Sequence, residues 1–400
     1  MRACAGDSMS RVLILVENLP VPLDRRVWQE AGALRDAGHQ VTVVCPRMRG
    51  YDTSFEVLEG ITIYRHWISG EARSKLGFFW EYLTALWGQW WCAVRAWRAG
   101  GFDVIHLCNP PDILFLVALP FKWLAGVKVV FDVHDLWPEM FAVKFGRCGP
   151  VHALVRVAER CTLKVADAVI ATNESVRAKI LERSAVPESA VTIVRTAPND
   201  MDTAAAVDGS LKKGRTYLIG YIGVMGDADG VDFLIRAAHE IVVNQGRSDV
   251  QFLLMGTGPE FEALVQLRDE LGLADYVTMP GRVSNEYLFT ALQTMDVGVA
   301  CDPINEYNDH CTMNKTLEYM AFGKPQVMFG TREGRFSAGD AAVYVMENSA
   351  ASLAEAIVEL LANRTARERM GREGRRRLAE DLSWNKSVVS LCAAYARLGS

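Results

Sequence analysis

Apolar residues arrive along this chain in short β-rich runs separated by stretches of helical spacing. Arg11-Val-Leu-Ile-Leu-Val16 is the first run; a proline-containing loop follows, then Arg26–Ala37 places Val27, Ala31 and Leu34 on one helical face before Gly38 and a second run, Val41–Val44. This is a βαβ unit. Strands are expected again at Val104–Leu107, Val127–Val133, Ala168–Ala171 and Val191–Val194. A polar stretch, Asn199–Lys213, interrupts the pattern, which restarts with strands at Tyr217–Ile222, Gln251–Met255, Val277–Met279, Val297–Ala300, Gln326–Phe329 and Ala342–Val345. Helices are expected between them at Val231–Gln245, Glu260–Leu271, Asn285–Thr294, Lys315–Ala321 and Leu353–Ala362. Alternation of this kind dictates a parallel sheet covered on both faces, here twice over. The expected organisation is therefore α/β, with two Rossmann-like doubly wound domains at residues 10–198 and 215–380 joined by a linker at 199–214. Ligands of such sheets sit at the carboxyl ends of the strands, so a cleft between two such edges is the expected active site.

Composition narrows the function classes. With 400 residues, two domains can each bury a core, and 43 Lys+Arg against 48 Asp+Glu supply no basic field for nucleic acid. Nine cysteines at 4, 45, 92, 108, 148, 161, 301, 311 and 392, with no C-x-x-C pair, argue against a zinc knuckle or a disulfide framework and for a reducing compartment. Residues 1–9 lack the apolar core of a signal peptide. Gly77–Trp97, broken by Glu81, Gln89 and Arg95, and Ile113–Ala125, which contains Pro120 and Lys122, read as buried helices and not as membrane spans. A cytoplasmic chain is expected.

Residues 311–327, Cys-Thr-Met-Asn-Lys-Thr-Leu-Glu-Tyr-Met-Ala-Phe-Gly-Lys-Pro-Gln-Val, spell a turn, a short helix, a Gly-Lys-Pro stop and a buried strand. A helix N-terminus carries backbone N–H groups and partial positive charge, a ready diphosphate site, which would involve Met313, Asn314 and Thr316. Lys315 adds a full charge in the first turn, where a cation is unfavourable beside the dipole unless an anion is near. Glu318, one turn on, is suited to accept both hydroxyls of a ribose.

At these residues the chain resembles glycosyltransferase family 4, retaining enzymes of the GT-B fold. The family pattern is Glu-x7-Glu followed by a short helix and Gly-x-Pro, matched by Lys315-Thr-Leu-Glu318-Tyr-Met-Ala-Phe-Gly323-Lys-Pro325. Further matches are Arg26-Val-Trp-Gln-Glu-Ala with Gly38-His-x-Val-Thr-Val, Val133-His134-Asp135-Leu-Trp-Pro138-Glu, Gly256-Thr-Gly258-Pro, Pro280-Gly281-Arg-Val and Ser337-Ala-Gly-Asp340. Leu382-Ser-Trp384 to Tyr395 resembles the helix, within 381–400, that crosses back to the first domain in this family. Three departures stand out. His310 takes the place of the first Glu, which contacts the donor sugar in the family; Val224 and Asp229 of the Gly223–Gly230 loop replace an Arg and a Lys on the donor phosphates; and Asn18–Arg26 replaces a Gly-Gly turn.

The resemblance implies sugar transfer with retention and without an enzyme nucleophile, the leaving phosphate deprotonating the acceptor while the protein supplies positioning and preorganised charge. It implies no cofactor beyond a nucleotide-sugar substrate, UDP- or GDP-linked, and a glycan, polyprenyl-linked or small-molecule acceptor. By position His134 resembles the histidine that touches the donor sugar, Lys315 and the amides of Met313–Thr316 would hold the diphosphate, and Gly223 and Gly256 are placed with the donor. His310 is a candidate contact to the sugar. Asp135 is suited to orient acceptor or His134, or to cap a helix starting near Pro138. His39, His66, His106, His152 and His239 read as core or solvated residues. Asp227-Ala-Asp229 sits in the wrong context for a metal-binding Asp-x-Asp, and no G-x-G-x-x-G supports NAD. No metal ligand is expected.

Phe79, Leu83, Leu86, Trp90, Val94 and Trp97 follow helical spacing and read as core, whereas Trp80, Trp87 and Trp91 lie on a second stripe beside Arg73, Lys75, Arg95 and Arg98 that suits a membrane surface or lipid-linked acceptor. Arg364–Arg377 mixes Arg with Glu and reads as a solvated helix. A nucleotide-sugar epimerase of the same architecture, and a non-catalytic nucleotide-sugar-binding subunit, are the competing functions.

Overall fold

The fold is given by a computed structural model that describes residues 9–48, 50–68, 75–145, 149–199 and 201–398, with side chains at all of these except 75–79, 81, 82, 144 and 145. Cys4, Arg73 and Cys148 lie outside the described residues, as do residues 1–8, and the side chains of Lys75 and Phe79 lie outside them too. The chain divides into two units, Met1–Thr196 with Asn385–Ser400, and Ala197–Trp384.

In the first unit, β1 (Arg11–Leu15) leads through α1 (Arg25–Asp36) to β2 (Gln40–Pro46), the βαβ unit expected from the pattern. The Asp24 side chain accepts from the Val27 amide and so caps α1. A hairpin follows, β3 (Phe55–Leu58) and β4 (Ile61–His66), and then α2 (Lys75–Gly100), β5 (Val104–Cys108), α3 (Phe115–Ala125), β6 (Lys128–Val133), α4 (Trp137–Phe145), α5 (Pro150–Val165), β7 (Ala168–Ala171), α6 (Glu174–Arg183) and β8 (Val191–Ile193). The sheet order is β3-β4-β2-β1-β5-β6-β7-β8. Every pair is parallel except β3 with β4, a departure from the all-parallel expectation. Its cause is the Glu59-Gly60 turn, in which both residues have positive φ, 49° and 80°, the geometry that closes a two-residue hairpin.

The second unit runs β9 (Tyr217–Ile222), α7 (Val231–His239), β10 (Val250–Met255), α8 (Phe261–Glu270), β11 (Val277–Gly281), α9 (Asn285–Thr294), β12 (Val297–Ala300), α10 (Asn314–Ala321), β13 (Gln326–Phe329), α11 (Arg332–Ala338), β14 (Ala342–Val345), α12 (Ala350–Ala362) and α13 (Arg364–Glu380). Its sheet is parallel throughout, in the order β11-β10-β9-β12-β13-β14. The last helix, α14 (Trp384–Ala396), packs on the first unit: Ser387 Oγ donates to the Arg195 carbonyl at 2.7 Å and Tyr395 Oη meets His106 Nδ1 at 2.7 Å.

In the second unit Ile219, Phe252, Val297 and Val327 bury one sheet face under Leu234 and Ile235 of α7 and Leu353 and Ile357 of α12. Leu218 and Leu253 bury the other under Ala291 of α9 and Tyr319 of α10. In the first unit the sheet residues Leu13, Ile105, Phe131 and Val169 pack with α2 and α3; of the α2 residues expected in the core, Leu86 and Trp90 pack against it half-buried. Ala85, Gln89, Cys92, Ala93 and Ala96 are the buried face of α2, whereas Leu83 and Trp97 are exposed. Small residues let the helix lie close to its neighbours: a Cβ on Gly88 would sit 2.7 Å from the His66 ring. No helix among the described residues is long and apolar enough to cross a membrane.

Candidate active site

Both sheets reverse strand order once, between β1 and β5 and between β9 and β12, and doubly wound folds place ligands at the carboxyl ends of the strands beside such a reversal. In the second unit three segments meet there. The turn after β9 starts at Gly223 and the turn after β10 at Gly256, each with φ of +146°; a Cβ on Gly256 would lie 1.8 Å from the Gly223 carbonyl oxygen, so only glycine permits the two turns to touch. A Cβ on Gly223 would in turn come within 3.3 Å of Lys315 Cε, which brings α10 against the same turn.

Tyr319 fixes that helix. Its hydroxyl accepts from the Ile222 amide at 3.1 Å and donates to the Val299 carbonyl at 3.1 Å, tying α10 to the ends of β9 and β12. Gln326 Nε2 adds a bond to the Thr316 carbonyl at 3.1 Å. Met313 precedes the helix in extended conformation and offers no side-chain cap, its carbonyl accepts from the Thr316 amide at 3.1 Å, and Asn314 is exposed. Glu318 is buried one turn further on. Gly223, Gly256, Lys315 and the Met313–Glu318 segment are thus brought together. His310 is buried in a short 3₁₀ turn, Asn308–His310, that Asn308 Nδ2 pins to the carbonyls of Ala228 and Pro303, both at 2.9 Å. That places the residue standing at the family glutamate position beside the Gly226–Gly230 loop.

Lys315 is not disposed as the sequence suggested. Its ammonium, expected to await an anion from the substrate, is buried and donates to Asp302 Oδ1 at 2.7 Å, with Asp229 Oδ1 at 3.6 Å and the Tyr221 ring centroid at 4.8 Å. Burial alone would lower its pKa, yet Asp302, Tyr221 and Asp229 carry it well above the usual lysine value. The anion beside Lys315 is the protein's own. Asp229 likewise does not face outward to repel a phosphate: its other oxygen accepts from the Gly226 amide at 3.1 Å, and burial raises its pKa despite the lysine. Asp302, the last charged residue before the 303–313 loop, was missed in the sequence because nothing distinguishes it there from an ordinary loop acid.

In the first unit, His134 and Asp135 follow β6. Asn109, at the end of β5, receives both their amides on Oδ1, at 2.7 and 3.3 Å, and donates Nδ2 to the Asp135 carbonyl at 2.8 Å. The carboxylate that meets His134 is not Asp135 but Asp132, whose Oδ2 lies 2.6 Å from His134 Nε2. Asp132 is fully buried, and Arg26 grips it with Nε on Oδ2 at 3.1 Å and NH2 on Oδ1 at 2.7 Å. Arg26 NH1 donates to Val194 O and Thr196 Oγ1, and NH2 is also 3.0 Å from Glu30, so every N–H of Arg26 is committed within the fold. His106 completes the cluster, with Nε2 3.6 Å from both Glu30 and Asp132; it is a member of a polar network and not a bland core residue. Burial would raise the Asp132 pKa, but Arg26 and His134 hold it well below the carboxylate range, while burial pushes Glu30 well above it against the pull of Arg26. Among the described residues Glu30, Asp132 and His134, and His106, Cys108 and Asp132, converge closely enough to suggest metal sites, but the cation lodged between Glu30 and Asp132 is the Arg26 guanidinium.

Two doubly wound α/β domains define the GT-B class. Solved structures agree on the fold. Sucrose-phosphate synthase from Thermosynechococcus elongatus superposes with a TM-score of 0.77 at 18% identity, covering 97% of this chain and 99% of that one. HepE from Anabaena, solved with UDP, gives 0.68 at 15% identity over 97% and 99%. Residues 23–197 match the family described as Glycosyl transferase 4-like domain and residues 216–363 that described as Glycosyl transferases group 1. The chain belongs to the group 1 glycosyltransferases of the family 4 type. Among curated proteins, alpha-D-kanosaminyltransferase from Streptomyces kanamyceticus is 24% identical over 255 residues, 62% of this chain; the match spans 64% of that relative's length.

Proposed function

We propose that the chain transfers a sugar from a UDP- or GDP-linked donor to a glycan or polyprenyl-linked acceptor, with retention of anomeric configuration and no divalent metal. The observation that carries this reading is the pairing of a helix start that has no side-chain cap with a buried carboxylate one turn later, at the strand reversal of the second unit. The α10 amides would meet the diphosphate and Glu318 the ribose, while the glycine turns at Gly223 and Gly256 leave backbone room for the phosphates. Lys315 serves this site indirectly: by neutralising Asp302 and Asp229 it removes carboxylate charge that would otherwise oppose a diphosphate. His134 would contact the donor sugar and His310 would line its place. Chemistry then consists of positioning and fixed charge around a departing nucleoside diphosphate that takes the acceptor proton.

A lipid-linked acceptor is favoured by the surface of α2. Trp80, Leu83, Trp87 and Trp91 recur at helical spacing and are 63%, 43%, 66% and 50% exposed; the same stripe continues into Arg95 and Arg98. Aromatic side chains followed by cations suit an anionic bilayer surface.

The test is to incubate the purified chain, in chelator, with UDP- and GDP-linked hexoses and N-acetylhexosamines, with and without polyprenyl-linked or glycan acceptors. Acceptor-dependent release of nucleoside diphosphate, with a product anomer matching the donor, is expected. An epimerised donor without acceptor would make the chain an isomerase, and neither outcome a binding subunit.

A further inference from the structure

Asp132 lies inside β6, yet it hydrogen-bonds both Arg26 and His134 and has His106 close by. His134 Nε2 is 2.6 Å and Arg26 Nε 3.1 Å from its Oδ2, Arg26 NH2 is 2.7 Å from Oδ1, and His106 Nε2 is 3.6 Å from Oδ2. On the far side His106 Nδ1 meets the Tyr395 hydroxyl of α14 at 2.7 Å. We propose that Asp132 is the positioning residue for His134: it fixes the ring with its proton on Nε2, leaving Nδ1 for the donor sugar, and α14 steadies the arrangement through Tyr395 and His106.

The geometry argues for a device and not for a chance ion pair. A carboxylate accepts only, so Nε2 must be the donor, and the tautomer is decided by the partner. Among the described residues His134 Nδ1 has no hydrogen-bond partner, whereas its amide is held by Asn109. Arg26 could not be replaced by a single-point cation, because its fork spans both Asp132 oxygens and reaches Val194 O and Thr196 Oγ1 as well. The other titratable groups turned toward the cluster are Glu30, Asp24, Cys108 and Tyr395; burial pushes Glu30 and Cys108 up, whereas Arg26 and His134 hold Asp132 down. The arrangement ties a functional histidine after β6 to α1, β5 and the last helix of the chain.

The proposal rests on His134 serving the donor, and the experiment separates the two. With ¹⁵N-labelled histidine in the full chain, long-range proton–nitrogen spectra read the tautomer of each of the seven histidines, His134→Ala identifying its own signal. The parent should show His134 protonated at Nε2. Asp132→Asn must turn its one carbonyl oxygen to Arg26 or to His134 and present an N–H to the other, so the proton should move wholly or partly to Nδ1. If Asp132→Asn does not fold, Tyr395→Phe, which loses one hydroxyl, should shift the His106 and His134 signals together. His134 signals that stay unchanged in the folded variant overturn the positioning role. In turnover, Asp132→Asn should lower kcat by about tenfold or more with little change in donor KM, and add nothing to the loss of His134→Ala in the double variant. Independent, additive losses overturn it too. A His134→Ala protein that turns over donor like the parent would instead remove the functional reading of His134.

Discussion

Lys315 Nζ donates to Asp302 Oδ1 at 2.7 Å inside the second unit, with Asp229 beside it, so the cation nearest the nucleotide motif is committed to the protein's own acids. Lys315→Met would leave two carboxylates without their counterion in a buried setting, a loss on the order of 3–5 kcal/mol. The expected result in chemical denaturation is a drop of that size, with Lys315→Met/Asp302→Asn recovering much of it. A fully stable Lys315→Met that loses only diphosphate affinity would restore the direct phosphate role.

Glu30 is wholly buried, and burial raises its carboxyl above the ordinary range, so the folded chain holds a proton that the unfolded chain releases as pH rises past about 4.5. The sign follows. The stability gained from protonated Glu30 is complete below the unfolded pKa and declines, by up to about 1.4 kcal/mol per pH unit, until the folded carboxyl ionises. Glu30→Gln mimics the protonated form and lacks this decline, so it should match the parent near pH 4 and gain on it through neutral pH. Parallel stability–pH curves for the two proteins would show Glu30 to be ionised in the fold.

Trp80, Trp87 and Trp91 are 63%, 66% and 50% exposed, on a helix whose fully buried face is Ala85, Gln89, Cys92, Ala93 and Ala96. Replacing all three with Ser should leave the melting temperature close to the parent's and markedly reduce co-sedimentation with anionic vesicles. Unchanged sedimentation would assign the stripe elsewhere.

Much of the fold was legible because strands buried on both faces are nearly continuous apolar runs: Tyr217–Ile222, Val297–Ala300 and Gln326–Phe329 coincide with expectation. The β3–β4 hairpin was not, since Phe55–Leu58 alternates as an edge strand and its turn, Glu-Gly, is a weak signal beside Asn-Gly. On α2 the large residues drew the reading; Leu86 and Trp90 do pack on the core, but its fully buried positions are Ala85, Gln89, Cys92, Ala93 and Ala96. At the site, the α10 segment could be read from spacing, because its residues are consecutive. The Arg26–Asp132–His106 cluster could not, for its members are separated by up to 106 positions and are joined only by the sheet order. One signal was available: Asp132 is a lone acid in the apolar run Val127–Val133, and a charge in such a strand requires a partner.

The central claim, that α10 and Glu318 grip a nucleoside diphosphate without metal, is tested most directly by calorimetric titration of UDP and GDP into the parent and Glu318→Gln proteins in chelator. The parent should bind one of the two, and Glu318→Gln should weaken it by about tenfold to a hundredfold, the worth of a charged hydrogen bond of roughly 1.5–3 kcal/mol. The deoxyribose analogue should bind the parent as weakly as the natural nucleotide binds the variant. Binding that appears only after magnesium or manganese is added, or equal affinity of parent and Glu318→Gln, would contradict the account.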